Sequence, residues 1–110
     1  MTRLTLRIDF DDSRAVGPGK IRLLEEIGAS GSISAAGRAL GMSYRRAWML
    51  VDALNQTFRD PVVETRGGGA SLTPFGASLV TDYRAMEQEA RTALARRLNR
   101  LERALAPAPR

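Results

Sequence analysis

The 110-residue sequence contains no cysteine and no histidine. Their absence removes zinc-finger ligation, thiol nucleophiles, disulfides and imidazole acid–base catalysis together. Lysine is nearly missing as well: of 17 basic residues 16 are arginine, and Lys20 is the exception. There is no apolar run of about 18 residues and no signal-peptide pattern, so no membrane partner is expected and the expected location is cytoplasmic. The acidic residues Asp9, Asp11, Asp12, Glu25, Glu26, Asp52, Asp60 and Glu64 stand at no paired spacing, and no nucleophile–base pair is visible, so an enzyme is not expected. No cofactor or metal is expected either.

What is present is an ordinary globular composition, 44% hydrophobic and 26% charged, in a length suited to one domain or one domain with an extension. The net charge of +5 and pI near 10.9 favour a polyanionic partner, most simply nucleic acid, although charge does not choose among DNA, RNA and anionic lipid.

Residues 31–58, GSISAAGRALGMSYRRAWMLVDALNQTF, organise the rest. Ser32 is fit to cap a short helix through Ala35, Ala36 and Leu40, and Gly41 to end it. Ser43 then caps a second helix, in which Ala47, Val51, Leu54 and Phe58 recur on one face of a 3.6-residue period. Two helices joined by a tight glycine-containing turn form a helix-turn-helix, whose second helix enters the DNA major groove. Arg45 and Arg46 fall in that helix's first turn, where the macrodipole disfavours cations and an acidic residue would be worth about 0.3–1 kcal/mol. Arg45, Met49 and Gln56 point outward, with Arg46 and Asp52 on the flanks. Two arginines at a free helix N-terminus suit a phosphate or a guanine edge. Trp48 lies at the core's edge, where it either anchors packing or offers its N–H to a phosphate. Tyr44 is equally open between core and DNA. Ser32 and Ser34 either cap the preceding helix or donate to a phosphate.

Around this unit, Leu4, Leu6, Ile8 and Phe10 alternate with polar residues and predict a half-buried strand. Residues 11–19 read as a turn-rich connection, and Ile21, Leu24 and Ile27, with Leu23 beside them, predict a helix over 18–29. Asp60-Pro61 ends the recognition helix. Strands over 62–65 and 70–73, with Arg66, Gly67, Gly68 and Gly69 at the tip, then form a hairpin wing able to approach the DNA backbone or minor groove. From Pro74 to Ala106 one long helix is predicted, capped by Thr73. Phe75, Leu79, Tyr83, Met86, Ala90, Leu94, Leu98, Leu101 and Leu105 form its apolar stripe. A rod of roughly 45 Å outruns a core of this size, so the stripe from Leu79 to Leu105 predicts a homodimer seam flanked by charges. The fold class expected is mainly α with a small β-wing. It comprises a winged helix-turn-helix over 1–73, a dimerisation helix over 74–106 and a disordered tail over 107–110.

The segments GSISAAGRALGMSYRRAW (31–48), VDALNQ (51–56) and GGGASLTPFGASLV (67–80) resemble the N-terminal DNA-binding domain of ModE-type molybdate-responsive regulators over nearly the whole chain. Ser43, Tyr44, Arg45, Ala47 and Trp48 are the more specific part. The Ala-Ala, Gly and Leu-Thr-Pro-x-Gly pieces are shared with LysR-type winged helices. The resemblance implies a dimeric winged helix on an inverted-repeat operator, with double-stranded DNA contacted by Ser43–Met49 and by the Arg66–Gly69 wing. Two departures stand out. The wing is shorter and less glycine-rich than in the full-length regulators, and the 110 residues include no molybdate-binding domain, so no molybdate site is expected in this chain. A stand-alone regulator and a piece of a longer one both stay open, and the PAPR ending favours the first. The function expected is a sequence-specific transcriptional regulator. The alternative is an adaptor or architectural protein whose long helix pairs with a separate sensor, with only non-specific DNA binding.

Overall fold

Helix starts are set by local side chains. Ser32 accepts the Ala35 N–H at 3.0 Å, Ser43 the Arg46 N–H at 3.1 Å and Thr73 the Gly76 N–H at 2.9 Å. Each such cap is worth about 1 kcal/mol and satisfies a donor the helix itself leaves free. The computed structural model describes residues 2–108. In chain order it contains β1 (Ile8–Asp9), β2 (Ala15–Val16), α1 (Pro18–Ser30), α2 (Ile33–Ala39), α3 (Tyr44–Thr57), β3 (Val63–Arg66), β4 (Gly69–Leu72) and α4 (Pro74–Arg103). The fold is a winged helix-turn-helix, mainly helical with a small β-wing. None of the described helices is long and apolar enough to cross a membrane.

Helices α1, α2 and α3 enclose one apolar core, in which Ile21, Leu23, Leu24, Ile27, Ile33, Ala36, Ala47, Val51 and Leu54 meet Val16, Val62, Val63 and Tyr83. The α3 stripe is buried through Leu54. Phe58 ends the helix and packs edge-on between Phe10 and Phe75, at centroid distances of 5.7 and 5.2 Å.

The predicted strand at the N-terminus is much shorter than its alternation suggested. Only Ile8 and Asp9 pair, opposite Val16 and Ala15, because the partner segment gives way to Pro18 at the start of α1. Leu4 and Leu6 still lie half-buried, so the alternation encoded burial on one side without a ladder. The β1–β2 turn is held by Asp11, whose carboxylate accepts the backbone N–H groups of Ser13 (3.1 Å) and Arg14 (2.8 Å). Its hydrogen bond with the Arg14 side chain, with those backbone bonds, holds its pKa down at about 2. A depressed carboxylate stabilises the fold above its ordinary range near ~3.9 and loses that contribution as pH falls through the folded value. Carboxyl-carbon NMR of the folded protein should therefore find Asp11 titrating at about 2. Titration in the ordinary aspartate range would mean that the turn does not form in solution.

Strand β3 is joined to α3 by Asn55. Its side-chain oxygen accepts from Val62 N (2.7 Å) and Val63 N (3.1 Å), and its amide donates to Val63 O (3.2 Å). Strands β3 and β4 pair from Val63–Leu72 to Arg66–Gly69, which leaves only Gly67 and Gly68 as the wing tip. Both have positive φ, 57° and 84°, the conformation of a two-residue type I′ hairpin turn that glycine adopts without a side-chain clash. The expected four-residue tip is thus a two-residue turn, with the ladder running one residue further on each side. Ala70 N donates to Gly31 O at 2.9 Å, tying the wing to the end of α1 beside the Ser32 cap.

The first half of α4 is built into the core. Thr73 donates to Pro61 O at 2.6 Å, and Gly76 packs directly on the Val62 carbonyl. Tyr83 is completely buried and donates to Leu6 O at 2.6 Å. Arg84 pairs with Glu25 of α1 (2.6 Å) and with Glu87 (2.7 Å), and its guanidinium holds Glu25 below the usual glutamate range. The half-exposed Glu25 pair is worth at most about 1 kcal/mol. Glu87 is the more buried partner and depends on Arg84 more than Glu25 does.

These contacts divide the predicted seam. Tyr83 is spent inside the core and has no exposed surface, and Leu79 packs half-buried against the same core. The cause is that the first three turns of α4 cover α1 and the strand-to-helix connections, which buries Tyr83 fully and leaves Leu79 half-buried. Met86 is partly exposed, Ala90 and Leu98 are half-buried, and Leu94, Leu101 and Leu105 are open to solvent. The helix ends at Arg103, three residues before the predicted end at 106, so Leu105 lies beyond its last turn. Of the tail expected over 107–110, residues 109 and 110 lie outside the described residues.

Candidate nucleic-acid interface

The N-terminal turn of α3 projects from the body because its buried stripe turns Ala47, Val51 and Leu54 inward. The 100° step then places Arg45 and Met49 on the side facing away from the core, with Tyr44 and Trp48 on one flank and Arg46 on the other. Tyr44 is 57% exposed and Met49 62%. Arg45, Arg46, Arg38 of α2 and Arg66 at the end of β3 are all exposed, and none forms an ion pair among the described residues. Asp52, the carboxylate on the exposed flank of α3, accepts from Gln56 at 2.9 Å.

Between α3, the start of α2 and the wing lies an open cleft of about 350 Å³, lined by Ser32, Ser34, Tyr44, Trp48, Thr65, Gly68 and Gly69 together with Ile33 and Ala70. Its polar lining is biased toward donors. Ser32 accepts the Ala35 N–H, and Ser34 accepts a guanidinium N–H of Arg38 at 2.9 Å. The Tyr44 hydroxyl accepts the indole N–H of Trp48, while the two rings meet edge to face at 6.4 Å. A hydroxyl offers one proton and two lone pairs. With a lone pair engaged in each case, the three protons remain to donate, and no acceptor takes them among the described residues. Ser43, on the rim, is likewise occupied as an acceptor from Arg46 N. Free hydroxyl protons beside arginines that make no ion pair among the described residues suit a surface to anionic oxygens.

The structure brings Ser32, Ser34, Tyr44, Trp48, Gly68 and Gly69 to one cleft. Ser43, Arg45 and Met49 lie outside its lining on the same end of α3, Arg46 lies on the opposite flank of α3, and Arg66 and Gly67 lie at the wing end. Ser32 and Ser43 do cap their helices, and capping leaves their protons free, so the two readings of Ser32 are compatible. Trp48 is 37% exposed, and its N–H is committed to Tyr44. Thr65 and Arg38 join the site from outside the residues that the sequence singles out. Arg38 was findable, since it stands one helical turn after Ser34. Thr65 reaches the cleft only through the wing's placement, for which no local signal exists. Among the described residues no group of acidic residues could hold a metal ion.

Residues 19–77 match the family described as bacterial regulatory helix-turn-helix protein, lysR family. The chain is 38% identical over 101 residues to the molybdenum transport protein ModE of Azotobacter vinelandii, covering 87% of this chain and 37% of that protein. It is 38% identical over 90 residues to the DNA-binding transcriptional dual regulator ModE of Escherichia coli strain K12, covering 77% and 34%. It is 46% identical over 77 residues to the molybdenum-pterin-binding protein MopB of Rhodobacter capsulatus, covering 66% and 28%. The chain therefore spans about a third of the length of these curated relatives. Among solved structures, the CbnR DNA-binding domain crystallised in complex with DNA shares the fold at a TM-score of 0.58 and 22% identity, covering 78% of this chain and 93% of that one.

Proposed function

The chain belongs to the lysR family of bacterial regulatory helix-turn-helix proteins, and from that membership we propose that it is a sequence-specific DNA-binding transcriptional regulator acting as a homodimer on an inverted-repeat operator. The observation that carries the proposal is the donor-rich surface around the start of α3: Arg45, Arg46 and Arg66, which make no ion pair among the described residues, together with the free hydroxyl protons of Ser32, Ser34 and Tyr44. Arg45 reads a base edge in the major groove, and Met49 packs beside it. The cleft receives a phosphate of the strand running between α3 and the wing, where Gly67 and Gly68 let the backbone come close. Tyr44 donates to that phosphate, and Trp48 holds the phenol in position.

The dimer follows from the far half of α4. Leu94 and Leu101 lie open to solvent with the half-buried Leu98 between them, Leu101 being 66% exposed. Pairing two such helices removes the stripe from water and fixes two α3 helices on one duplex, with half-sites one turn or a multiple of about 34–36 Å apart. Double replacement of Leu98 and Leu101 by aspartate should give a folded monomer by sedimentation equilibrium, because neither side chain belongs to the core. A dimer unchanged by that replacement would place the seam elsewhere.

Selection from random duplex pools tests the reading as a whole. Recovery of an inverted repeat bound far more tightly than bulk DNA is the expected result. Salt-steep binding with no enriched motif would instead favour an architectural or adaptor role for the long helix.

A further inference from the structure

A helix lying in the major groove has a phosphate strand on either side, and the wing-side cleft accounts for only one of them. On the opposite flank of α3 lies a second open groove of about 320 Å³. Its cationic lining is Arg7 from the edge of β1, Lys20 from the first turn of α1 and Arg46 from α3, set over an apolar floor that includes Met42 and Leu50. These three basic residues come from three separate elements, so helical periodicity does not account for their meeting.

The state of each cation matters. Lys20 is half-buried, and its ammonium donates to Ala15 O at 2.9 Å, which positions the group without neutralising it and leaves two of its three donors. Arg46 makes no ion pair among the described residues, and its backbone N–H is already used by the Ser43 cap. Arg7 is paired with Asp9 at 2.9 Å through Nε, which leaves both terminal nitrogens free on an exposed side chain. Pairing Arg7 internally at the rim lowers the local excess of charge, and Lys20 and Arg46 remain as the uncompensated pair. An apolar floor with cations along its sides has no use for a metal ion, and its open shape does not enclose a small molecule. It is continuous through Arg46 with the face of α3 that carries Arg45.

Building on the DNA-binding reading above, we infer that this groove is a second phosphate-contact site, in which Lys20 and Arg7 grip the DNA strand on the side of α3 away from the wing. The contact reaches α1 and the N-terminal hairpin, which lie outside the helix-turn-helix and the wing hairpin themselves. It carries no base information, since ammonium and guanidinium groups on the backbone meet the same phosphates at every sequence.

The test measures equilibrium binding of the full chain, Lys20→Gln and Arg7→Gln to a selected duplex and to a random duplex across a salt series. Glutamine at 20 keeps a donor for Ala15 O while removing the charge. Arg7 is exposed, so its replacement leaves the core intact, and thermal unfolding of each variant checks this. The expected result is a several-fold loss in each variant, equal on both duplexes, with a log–log salt slope shallower by about one unit. Parent-like affinity and slope in both variants overturn the second contact and leave the DNA-binding reading standing. A loss confined to the selected duplex also overturns it, because that is base reading. Failure of the parent chain to bind either duplex overturns the reading on which the inference rests.

Discussion

Arg45→Ala is expected to weaken binding to the preferred duplex by about 1–3 kcal/mol, some five- to 150-fold, while leaving affinity for random DNA nearly unchanged. The expectation rests on the outward position of Arg45 in the first turn of α3 and on the lack of any carboxylate partner among the described residues. No internal bond is lost when the side chain is removed, so folding should be unaffected and the whole change should appear in binding. A first-turn arginine is mildly unfavourable for the helix, and the variant should unfold at the same temperature or slightly higher. Competition titrations with single-base variants of the recovered site would localise the effect to one position in each half-site. Equal losses on every sequence would make Arg45 a phosphate contact and move base reading to Met49 or Arg46.

Gly76→Ala should produce the largest loss of stability among single conservative substitutions. A methyl group at position 76 would overlap the carbonyl oxygen of Val62, a backbone atom that cannot turn aside as a side chain would. That carbonyl also accepts the Thr73 N–H at 3.0 Å, so shifting it loosens the start of α4 and the base of β3 together. Overpacking of this kind costs typically 1–3 kcal/mol, and the rigid neighbour places Gly76 near the upper end, about 3 kcal/mol. For a domain of this size that is a fall in Tm of roughly 10–20 °C. Helix propensity alone would favour alanine by about 1 kcal/mol, so the sign of the change separates the two effects. A variant as stable as the parent would mean that α4 does not sit this close to β3.

Much of the candidate interface was legible in the sequence because the relevant rules act over a few residues. Ser32, Ser43 and Thr73 cap helices through their third neighbours, and the spacing of Ala47, Val51 and Leu54 alone decides that Arg45 and Met49 face outward. The run of glycines predicted a tight wing, although the two-residue turn needed the register of β3 on β4. The alternation from Leu4 to Phe10 was less informative, since it marks one buried side without saying whether a partner strand is present.

Local order therefore belongs to the sequence by itself: the four helices, the helix-turn-helix, the wing, the basic first turn of α3 and the expectation that the far end of α4 exceeds its core. Tertiary structure decided what depends on residues far apart in the chain. Tyr83 reaches Leu6, Arg84 reaches Glu25 and Asn55 holds Val62 and Val63, so the α4 stripe is packed into the core through Tyr83 and opens to solvent beyond it. The wing docks on Gly31, which creates the cleft beside Tyr44, and Arg7, Lys20 and Arg46 meet only because three elements converge. The reason is physical: a periodic apolar stripe states that a face must be covered, but the covering surface is chosen by packing and hydrogen-bond satisfaction among distant segments.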